Sequence, residues 1–296
     1  MRKALLILVL FVLGMHFALA QVSKEEKAAL IDLYRSTNGE NWTKTWDLSK
    51  PVATWQGVGI QENSVVSLSL MNNNLTGNLP VSIGKLKNLE VLNMAFNSLR
   101  GSIPESIMSL KKLMVMRLGK NQITGSIPNS IGDLKKLIVL DLLNNKISGE
   151  LPSSLGNLTK LKVISLSDNA ISGKLPEVLG NLKSLERLEI ANNKIEGNVP
   201  FSIGELPNLY MLILAENKLS GKFPENILLL PKLKTVQLQE NRLDKYHLKT
   251  IIASKTGFAM LDYDDGNPYF DGRDFEDIYV NKDIRTADTK FEDTDY

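Results

Sequence analysis

Apolar and polar positions return with a period of 24 residues from Val65 onward. In the copy at 137–160, LIVLDLLNNKISGELPSSLGNLTK, Leu137, Leu140 and Leu142 fall on one side of a short strand, and stacked copies place parallel strands about 4.8 Å apart. Three other residue types share this register, which chance does not produce. They are the asparagines Asn73, Asn97, Asn121, Asn145, Asn169, Asn193, Asn217 and Asn241, the prolines Pro80, Pro104, Pro128, Pro152, Pro176, Pro200 and Pro224, and the glycines Gly77, Gly101, Gly125, Gly149, Gly173, Gly197 and Gly221.

Each recurring position has a structural reason. The amide of Asn145 can accept from and donate to backbone groups of adjoining coils, which satisfies polar groups that would otherwise be buried unpaired. Gly149 permits a backbone conformation that a Cβ would hinder, and Pro152 fixes φ after an extended residue. The pattern therefore predicts an α/β solenoid of about eight coils, elongated and curved, with a concave parallel sheet.

The repeat L-x-x-L-x-L-x-x-N-x-L matches leucine-rich repeats. Its second half, read here as LTGNLPVSIGKL over residues 75–86, resembles the plant-type repeat of receptor-kinase ectodomains and polygalacturonase inhibitors. The resemblance covers residues 65–243 and implies a right-handed superhelix with a second, short sheet at the L-x-G-x-[IL]-P segment. Such a motif is specific for the fold and not for the ligand. The departures, Met108 and Leu228 for the second glycine and Arg100 and Glu196 before the first, affect local turns only.

The N-terminus has the pattern of an export signal. Arg2 and Lys3 precede an apolar run that ends at Phe17, and the small-x-small sequence of residues 18–20 predicts cleavage after Ala20. The run falls short of the roughly 20 residues that span a bilayer, so we expect a signal peptide at 1–20 and no transmembrane segment after its removal. Secreted, periplasmic and cell-surface locations all stay open.

Residues 21–64 are predicted to form an N-terminal cap, because a solenoid exposes its core at both ends. Ser23 and Glu26 form a capping box before an apolar helical stripe, and the three tryptophans at 42, 46 and 55 are expected to pack as the cap core. The region resembles the N-terminal cap of bacterial and plant-type members of the family. Ala53 and Ile60 stand where plant caps usually place cysteines.

The C-terminal end divides into two predicted segments. At 244–261, Asp244 caps a short helix that seals the last coil, and His247 on that helix is expected to be solvated. At 262–296, an acidic tail holds 12 Asp+Glu against four Lys+Arg, interleaved with aromatic residues. The tail is expected to be disordered or only loosely docked, with docking on the basic remainder of the chain as the alternative.

Composition excludes several kinds of chemistry. The chain has no cysteine, which excludes disulfides, thiolate metal sites and a cysteine nucleophile, and its two histidines leave only His247 in the mature chain. We therefore expect no metal and no cofactor. The balance of 35 Lys+Arg against 33 Asp+Glu gives no reason to expect nucleic acid as a partner. An exported chain without cysteine also fits a bacterium better than a eukaryotic secretory pathway.

Candidate binding residues lie between and just after the leucines of each strand, where side chains project from the concave side. Exposed apolar groups on an otherwise polar ladder are plausible anchors, although single apolar surface residues are common. The predicted ligand-binding set is Phe96, Arg117, Lys120, Asp141, Leu143, Asp168 and Glu189. A second candidate, for an acidic polysaccharide or simply a solvated edge, is the lysine series Lys85, Lys87, Lys111, Lys112, Lys135, Lys136, Lys160, Lys183 and Lys232.

These features predict an exported, non-enzymatic protein that binds a protein or glycan partner as a monomer. An enzyme would have to work with carboxylates alone, as glycosidases do, and the repeats contain no inserted loop that builds a pocket. A carbohydrate-active enzyme is therefore the alternative. The resemblance also implies a second alternative, an inhibitor of a polysaccharide-degrading enzyme.

Overall fold

The computed structural model describes residues 22–252 and 260–263, in two compact units that comprise Met1–Lys146 and Ile147–Tyr296. The predicted signal peptide at 1–20 and nearly all of the predicted tail at 262–296 lie outside the described residues. Each unit is built from the 24-residue copies, which confirms the leucine-rich-repeat architecture predicted from the period. The cap assignments at 21–64 and 244–261 stay predictions.

The described residues of the first unit, 22–146, form one α-helix and eight strands. Its elements are α1 (Lys24–Ser36), β1 (Val58–Gln61), β2 (Ser64–Ser69), β3 (Thr76–Asn78), β4 (Val91–Asn93), β5 (Ser98–Gly101), β6 (Val115–Arg117), β7 (Gln122–Ile123) and β8 (Val139–Asp141). Strands β2, β4, β6 and β8 pair in parallel in that order, and β1 pairs antiparallel with β2. Strands β3, β5 and β7 form the second, short sheet that the resemblance implied.

Helix α1 begins at a capping residue and is tied to the first strand of the repeats. The Ser23 hydroxyl accepts from the backbone N–H of Glu26 at 3.1 Å, as a capping box requires. The Glu26 carboxylate reaches back to the cap, where its Oε2 accepts from the Ser23 hydroxyl at 3.4 Å, and its Oε1 accepts from the buried N–H of Val65 at 3.2 Å. This side chain therefore satisfies a strand donor 39 residues away in addition to its contact with the cap residue.

The three tryptophans that follow α1 are buried. Trp42, Trp46 and Trp55 expose 4%, 3% and 2% of their surface, so they form a core and not a sugar-binding platform. The Trp46 and Trp55 rings stack at 4.8 Å, and Tyr34 of α1 lies 5.3 Å from Trp42 in an edge contact. Each indole N–H donates to a backbone carbonyl, which is what a buried tryptophan requires.

The asparagine of each copy joins that copy to the preceding one. Asn121 is buried, and its Oδ1 accepts from Leu99 N–H of the preceding copy at 2.9 Å. Its Nδ2 lies 3.0 Å from the carbonyl oxygen of Met94, 2.9 Å from that of Leu118 and 3.2 Å from that of Gly119. One side chain thus satisfies backbone groups that stacking removes from water, as the period predicted.

The part of the second unit that the structure describes, 147–252 and 260–263, repeats this arrangement with ten strands and one α-helix. Its elements are β9 (Ser148–Glu150), β10 (Val163–Ser165), β11 (Ala170–Lys174), β12 (Arg187–Glu189), β13 (Lys194–Gly197), β14 (Met211–Ile213), β15 (Lys218–Gly221), β16 (Thr235–Gln237), β17 (Arg242–Leu243), α2 (Lys245–Ile252) and β18 (Met260–Asp262). Even-numbered strands from β10 to β18 form one parallel sheet, and odd-numbered strands from β9 to β17 form the other.

Asp244 precedes helix α2 and caps it, because its Oδ1 accepts from His247 N–H at 2.9 Å. The expectation that His247 is simply solvated is wrong. Its ring Nε2 lies 3.0 Å from the carbonyl oxygen of Phe223, one coil earlier, and the side chain is partly buried. This histidine therefore fastens α2 to the repeat before it.

Replacing Asn121 with alanine tests the role of the asparagine ladder. Asn121→Ala should lower the free energy of unfolding by about 1–3 kcal/mol, because buried backbone groups lose their partner. The exposed Asn129 is the control, and Asn129→Ala should change that free energy by less than about 0.5 kcal/mol. Urea unfolding followed by circular dichroism measures both. Equal effects of the two substitutions would contradict the assigned role.

Candidate functional site

The larger sheet of the first unit has one buried face and one partly exposed face. Leu92, Met116 and Leu140 point into the core with no exposed surface, so the residues on either side of them point the opposite way. At the first of these outward positions stand Val91, Val115 and Val139, which pair in register across β4, β6 and β8. We call these three residues the valine ladder and the outward side of β4, β6 and β8 the first-unit face.

Sequence reasoning missed the valine ladder. All three valines are partly exposed, and Met114 and Ile138 beside them are partly exposed as well. The signal was present at the position just before the second leucine of each copy. It was overlooked because valine is also the residue expected in any strand. The first-unit face is therefore more apolar than the polar ladder that the candidate residues suggested.

Phe96 and Lys120 lie together at the end of the first-unit face. The Lys120 ammonium is 4.6 Å from the centre of the Phe96 ring, a cation–π contact, and the ring side chain is 45% exposed. Both residues have left-handed backbone, with φ of 57° and 54°. Every copy places a residue of positive φ at this register, and asparagine or aspartate is the residue that tolerates it best.

Arg117, Asp141 and Leu143 complete the first-unit part of the predicted site. Arg117 and Asp141 are opposite each other on β6 and β8. Asp141 Oδ1 accepts from Leu143 N–H at 3.1 Å, and a Cβ added to Gly119 would lie 2.7 Å from this oxygen. Gly119 therefore leaves the space that the carboxylate occupies. The structure brings all five predicted residues of this unit to one face.

The predicted site residues of the second unit, Asp168 and Glu189, differ from those of the first unit in their contacts. Asp168 has φ of 58°, and its Oδ1 accepts from the Asn192 side chain at 2.7 Å, so it is a turn residue linked to the next coil. The expectation that Glu189 projects as an exposed ladder residue is wrong. It is 5% exposed, and its carboxylate forms an ion pair with Arg187 and accepts from the Ser165 hydroxyl at 3.2 Å.

The Arg187–Glu189 pair lies on the outward side of β12, with Tyr210 beside it. Burial raises the pKa of the Tyr210 hydroxyl above its usual value of about 10, and the positive charge of Arg187 opposes this. Removing one partner of a buried ion pair leaves the other charge uncompensated, which is costly. These groups therefore act as one unit, and Glu189 is not available to a ligand as a single carboxylate.

The lysine series is partly committed to contacts between coils. Lys87 Nζ donates to Ser109 at 2.9 Å, Lys111 pairs with Asp133 at 2.9 Å, and Lys183 pairs with Glu205 at 3.2 Å. The hydrogen bond from Lys111 and its charge lower the pKa of the exposed Asp133 carboxyl. Such surface pairs contribute about 0–1 kcal/mol each. The series is thus less uniformly positive than its sequence suggests.

Residues 22–252 and 260–263 contain neither a candidate metal site nor a candidate membrane-spanning helix. In that part of the chain, no three histidine, cysteine or carboxylate side chains come together as a metal site would require. The same residues contain no helix that is long and apolar enough to cross a membrane.

The repeats of this chain are similar to a family model and to several solved structures. The family model for a leucine-rich repeat region matches residues 67–166 and 118–197. The Arabidopsis receptor kinase HAESA, solved with the peptide hormone IDA and the co-receptor SERK1, is 37% identical over 61% of this chain and 32% of its own, with a TM-score of 0.58. A leucine-rich-repeat protein of Leptospira interrogans is 34% identical over 63% of this chain and 46% of its own, with a TM-score of 0.54.

A plant ice-binding protein is also similar, at 25% identity over 75% of this chain and 88% of its own, with a TM-score of 0.57. The chain spans only 21% to 32% of the length of four receptor chains that it matches. The likeness to the receptors therefore concerns the repeats and not the whole receptor.

Removing one partner of the buried ion pair tests its assigned role. Arg187→Met should lower the free energy of unfolding by about 3–5 kcal/mol, because Glu189 is left as a buried charge without its partner. The double substitution Arg187→Met with Glu189→Met should recover a large part of this loss. Chemical denaturation measures each variant.

A matched control is Lys162→Met. Lys162 pairs with Glu186 at 2.9 Å on the surface, and its loss should cost no more than about 1 kcal/mol. If Arg187→Met costs no more than Lys162→Met, the Arg187–Glu189 pair does not carry the role assigned to it.

Proposed function

We propose that this chain, whose residues 67–197 form a leucine-rich-repeat region, is a non-enzymatic binding protein that recognises a protein or glycan partner. The observation that carries the proposal is the first-unit face. There the valine ladder, the Phe96–Lys120 pair and the Arg117–Asp141 pair present apolar, aromatic and charged groups side by side. Interfaces combine such groups, and aromatic residues and arginine provide most of their binding energy.

The comparisons support binding over catalysis. HAESA is described in complex with a peptide hormone and a co-receptor, and it shares the repeat fold with this chain. A carbohydrate-active enzyme needs two carboxyl groups that face each other across a sugar. On the candidate faces, Asp141 accepts from the backbone and Glu189 is buried in an ion pair, so neither is arranged for that chemistry.

A protein partner fits the first-unit face better than a glycan. The valine ladder is apolar, and burying it returns more free energy when the partner also brings apolar side chains. A glycan would cover the valines with polar hydroxyl groups and would rely on Phe96 and the polar residues at the rim. We therefore place a polypeptide first and a glycan second.

The proposal also includes export of this chain from the cytoplasm. The pattern at 1–20 predicts that the mature chain begins at Gln21. N-terminal sequencing of the chain recovered outside the cytoplasm of an expressing cell tests this directly. An intact Met1 on that material would contradict cleavage.

The binding experiment starts from an array of proteins and glycans, and the variants are then compared on each partner that binds saturably. Phe96→Asn should weaken affinity by about 2 kcal/mol, or about 30-fold, because it removes the exposed ring and its contact with Lys120. Asparagine tolerates the left-handed backbone at this position, so the free energy of unfolding should not fall.

The matched control is Phe201→Asn, because Phe201 is 63% exposed and belongs to a 3₁₀ helix of the second unit instead of the strands that form the first-unit face. The affinity of the Phe201→Asn variant should equal that of the unchanged chain. Unchanged affinity of Phe96→Asn would remove the first-unit face from the proposal, and conversion of any polysaccharide on the array to product would overturn the non-enzymatic function.

A further inference from the structure

We propose that Arg100 and its two neighbours on the short sheet of the first unit, Asn78 and Gln122, bind the carboxylate group of an acidic glycan. We call these three residues the Arg100 row. The row lies on β3, β5 and β7 and not on the strands of the first-unit face, so the inference holds whichever partner that face binds.

Arg100 departs from the residue type that the repeat has at its position, just before the recurring glycine. Five other copies have a hydroxyl side chain there, namely Thr76, Thr124, Ser148, Ser172 and Ser220. The second departure at this position is Glu196. Contrary to the sequence expectation, both departures lie inside strands and not only in turns, Arg100 in β5 and Glu196 in β13, and both side chains are exposed.

The chain itself compensates the charge of Glu196. Lys174 of β11 and Lys218 of β15 are in register with Glu196 on either side. The Lys174 side chain also leans toward β13, since a Cβ added to Gly197 would lie 3.2 Å from its Cγ. Each neighbouring strand therefore places a lysine beside this carboxylate.

Arg100 has no such compensation. Its neighbours in register are Asn78 of β3 and Gln122 of β7, which are exposed and uncharged. Asn78 leans toward β5 as Lys174 leans toward β13, since a Cβ added to Gly101 would lie 2.9 Å from its Oδ1. Within the part of the chain that the structure describes, the three side chains of the Arg100 row form no ion pair or hydrogen bond.

The segments around the row add no other charge. Arg100 is the only charged residue in 74–79, 98–103 and 122–127. The next carboxylate along the chain, that of Glu105, accepts from the Ser130 hydroxyl. The guanidinium group therefore offers its N–H donors to a ligand, in a planar fork that matches the oxygens of a carboxylate. A single anionic group, and not a densely charged polymer segment, is what one such cation can neutralise.

The surroundings of Arg100 favour a glycan over a polypeptide. Ser102, Thr124 and Ser126 are exposed in these segments, whereas the leucines and isoleucines of the same segments are buried. Protein interfaces have apolar and aromatic residues at their centre, and the exposed side chains here include none. Amide and hydroxyl groups can donate and accept, as sugar hydroxyls do. A uronic acid, with one carboxylate beside several hydroxyls, is the ligand class that fits.

Calorimetric titration of the full chain with a short alginate oligosaccharide, which is a chain of uronic acids, tests the site at low salt. Arg100→Thr restores the residue type usual at this position and should weaken binding at least about tenfold, because charge-assisted hydrogen bonds to the carboxylate are lost. Threonine is favourable in a strand, so the free energy of unfolding should not fall. An oligosaccharide whose carboxyl groups have been reduced to alcohols should not bind.

The matched control is Lys24→Gln, which removes one exposed positive charge of the same unit at the start of α1. This variant should bind the alginate oligosaccharide as the unaltered chain does. An equal loss in Lys24→Gln and Arg100→Thr would show that net charge alone holds the oligosaccharide, and would overturn the site.

Other outcomes would overturn the proposal as well. These are an unaltered chain that does not bind the alginate oligosaccharide, equal binding of its carboxyl-reduced form, and full affinity in Arg100→Thr. A loss in Lys112→Gln that exceeds the loss in Arg100→Thr would assign the oligosaccharide to the lysine series. Tighter binding of a polyglutamate peptide than of alginate would assign the row to a polypeptide.

A second variant, Asn78→Asp, keeps the test decisive if Arg100→Thr loses its fold, which circular dichroism would show. Asn78→Asp leaves Arg100 in place and adds a carboxylate in register with it, just as the chain supplies Lys174 beside Glu196. The added carboxylate should occupy the guanidinium group and weaken alginate binding at least about tenfold. Unchanged affinity in Asn78→Asp would show that Arg100 does not hold the ligand and would overturn the proposal.

Discussion

The structure depends on one hydrogen-bonding arrangement, the asparagine side chain that joins neighbouring copies of the repeat. Stacking a short strand on the next one removes the turn after each strand from water, and its backbone groups then need partners inside the molecule. The amide of Asn121 supplies them from one side chain, and Asn217 is buried in the same role. The leucines provide the burial, and the asparagines make that burial possible without unpaired polar groups.

These separate roles of leucine and asparagine explain which parts of the protein were predictable from sequence. Leucine, asparagine, glycine and proline positions obey a period, so the strands followed from local pattern. The second short sheet was implied by the resemblance to plant-type repeats, and the buried tryptophans were expected because a cap needs a core. The bond from Val65 to Glu26 was not predictable, because it spans 39 residues while the local sequence indicates only the nearer partner Ser23. A local motif cannot reveal a more distant donor that uses the second oxygen of the same carboxylate.

The candidate sites show the same limit. Phe96, Arg117, Lys120, Asp141 and Leu143 lie on one face because register alone places them there. Glu189 shares that register and is nevertheless buried, because Arg187 two residues earlier and Ser165 one coil earlier take up its oxygens. The register predicts on which face of the sheet a side chain lies. Whether a ligand can reach that side chain depends on the neighbouring side chains. The valine ladder was missed for the opposite reason, since a residue typical of any strand gives no signal of exposure.

The left-handed position after each strand separates the fold from the surface that it carries. Its backbone conformation is fixed by the stack, and the side chain there contributes little to the core. In the first unit it bears Phe96 and Lys120, and in the second unit it bears acidic residues such as Glu216 and Glu240, all with similar φ. A substitution at this position changes what the rim presents to a partner while the repeat beneath it is unaltered. Recognition can therefore diversify one copy at a time, with each 24-residue unit serving as an independent place for change.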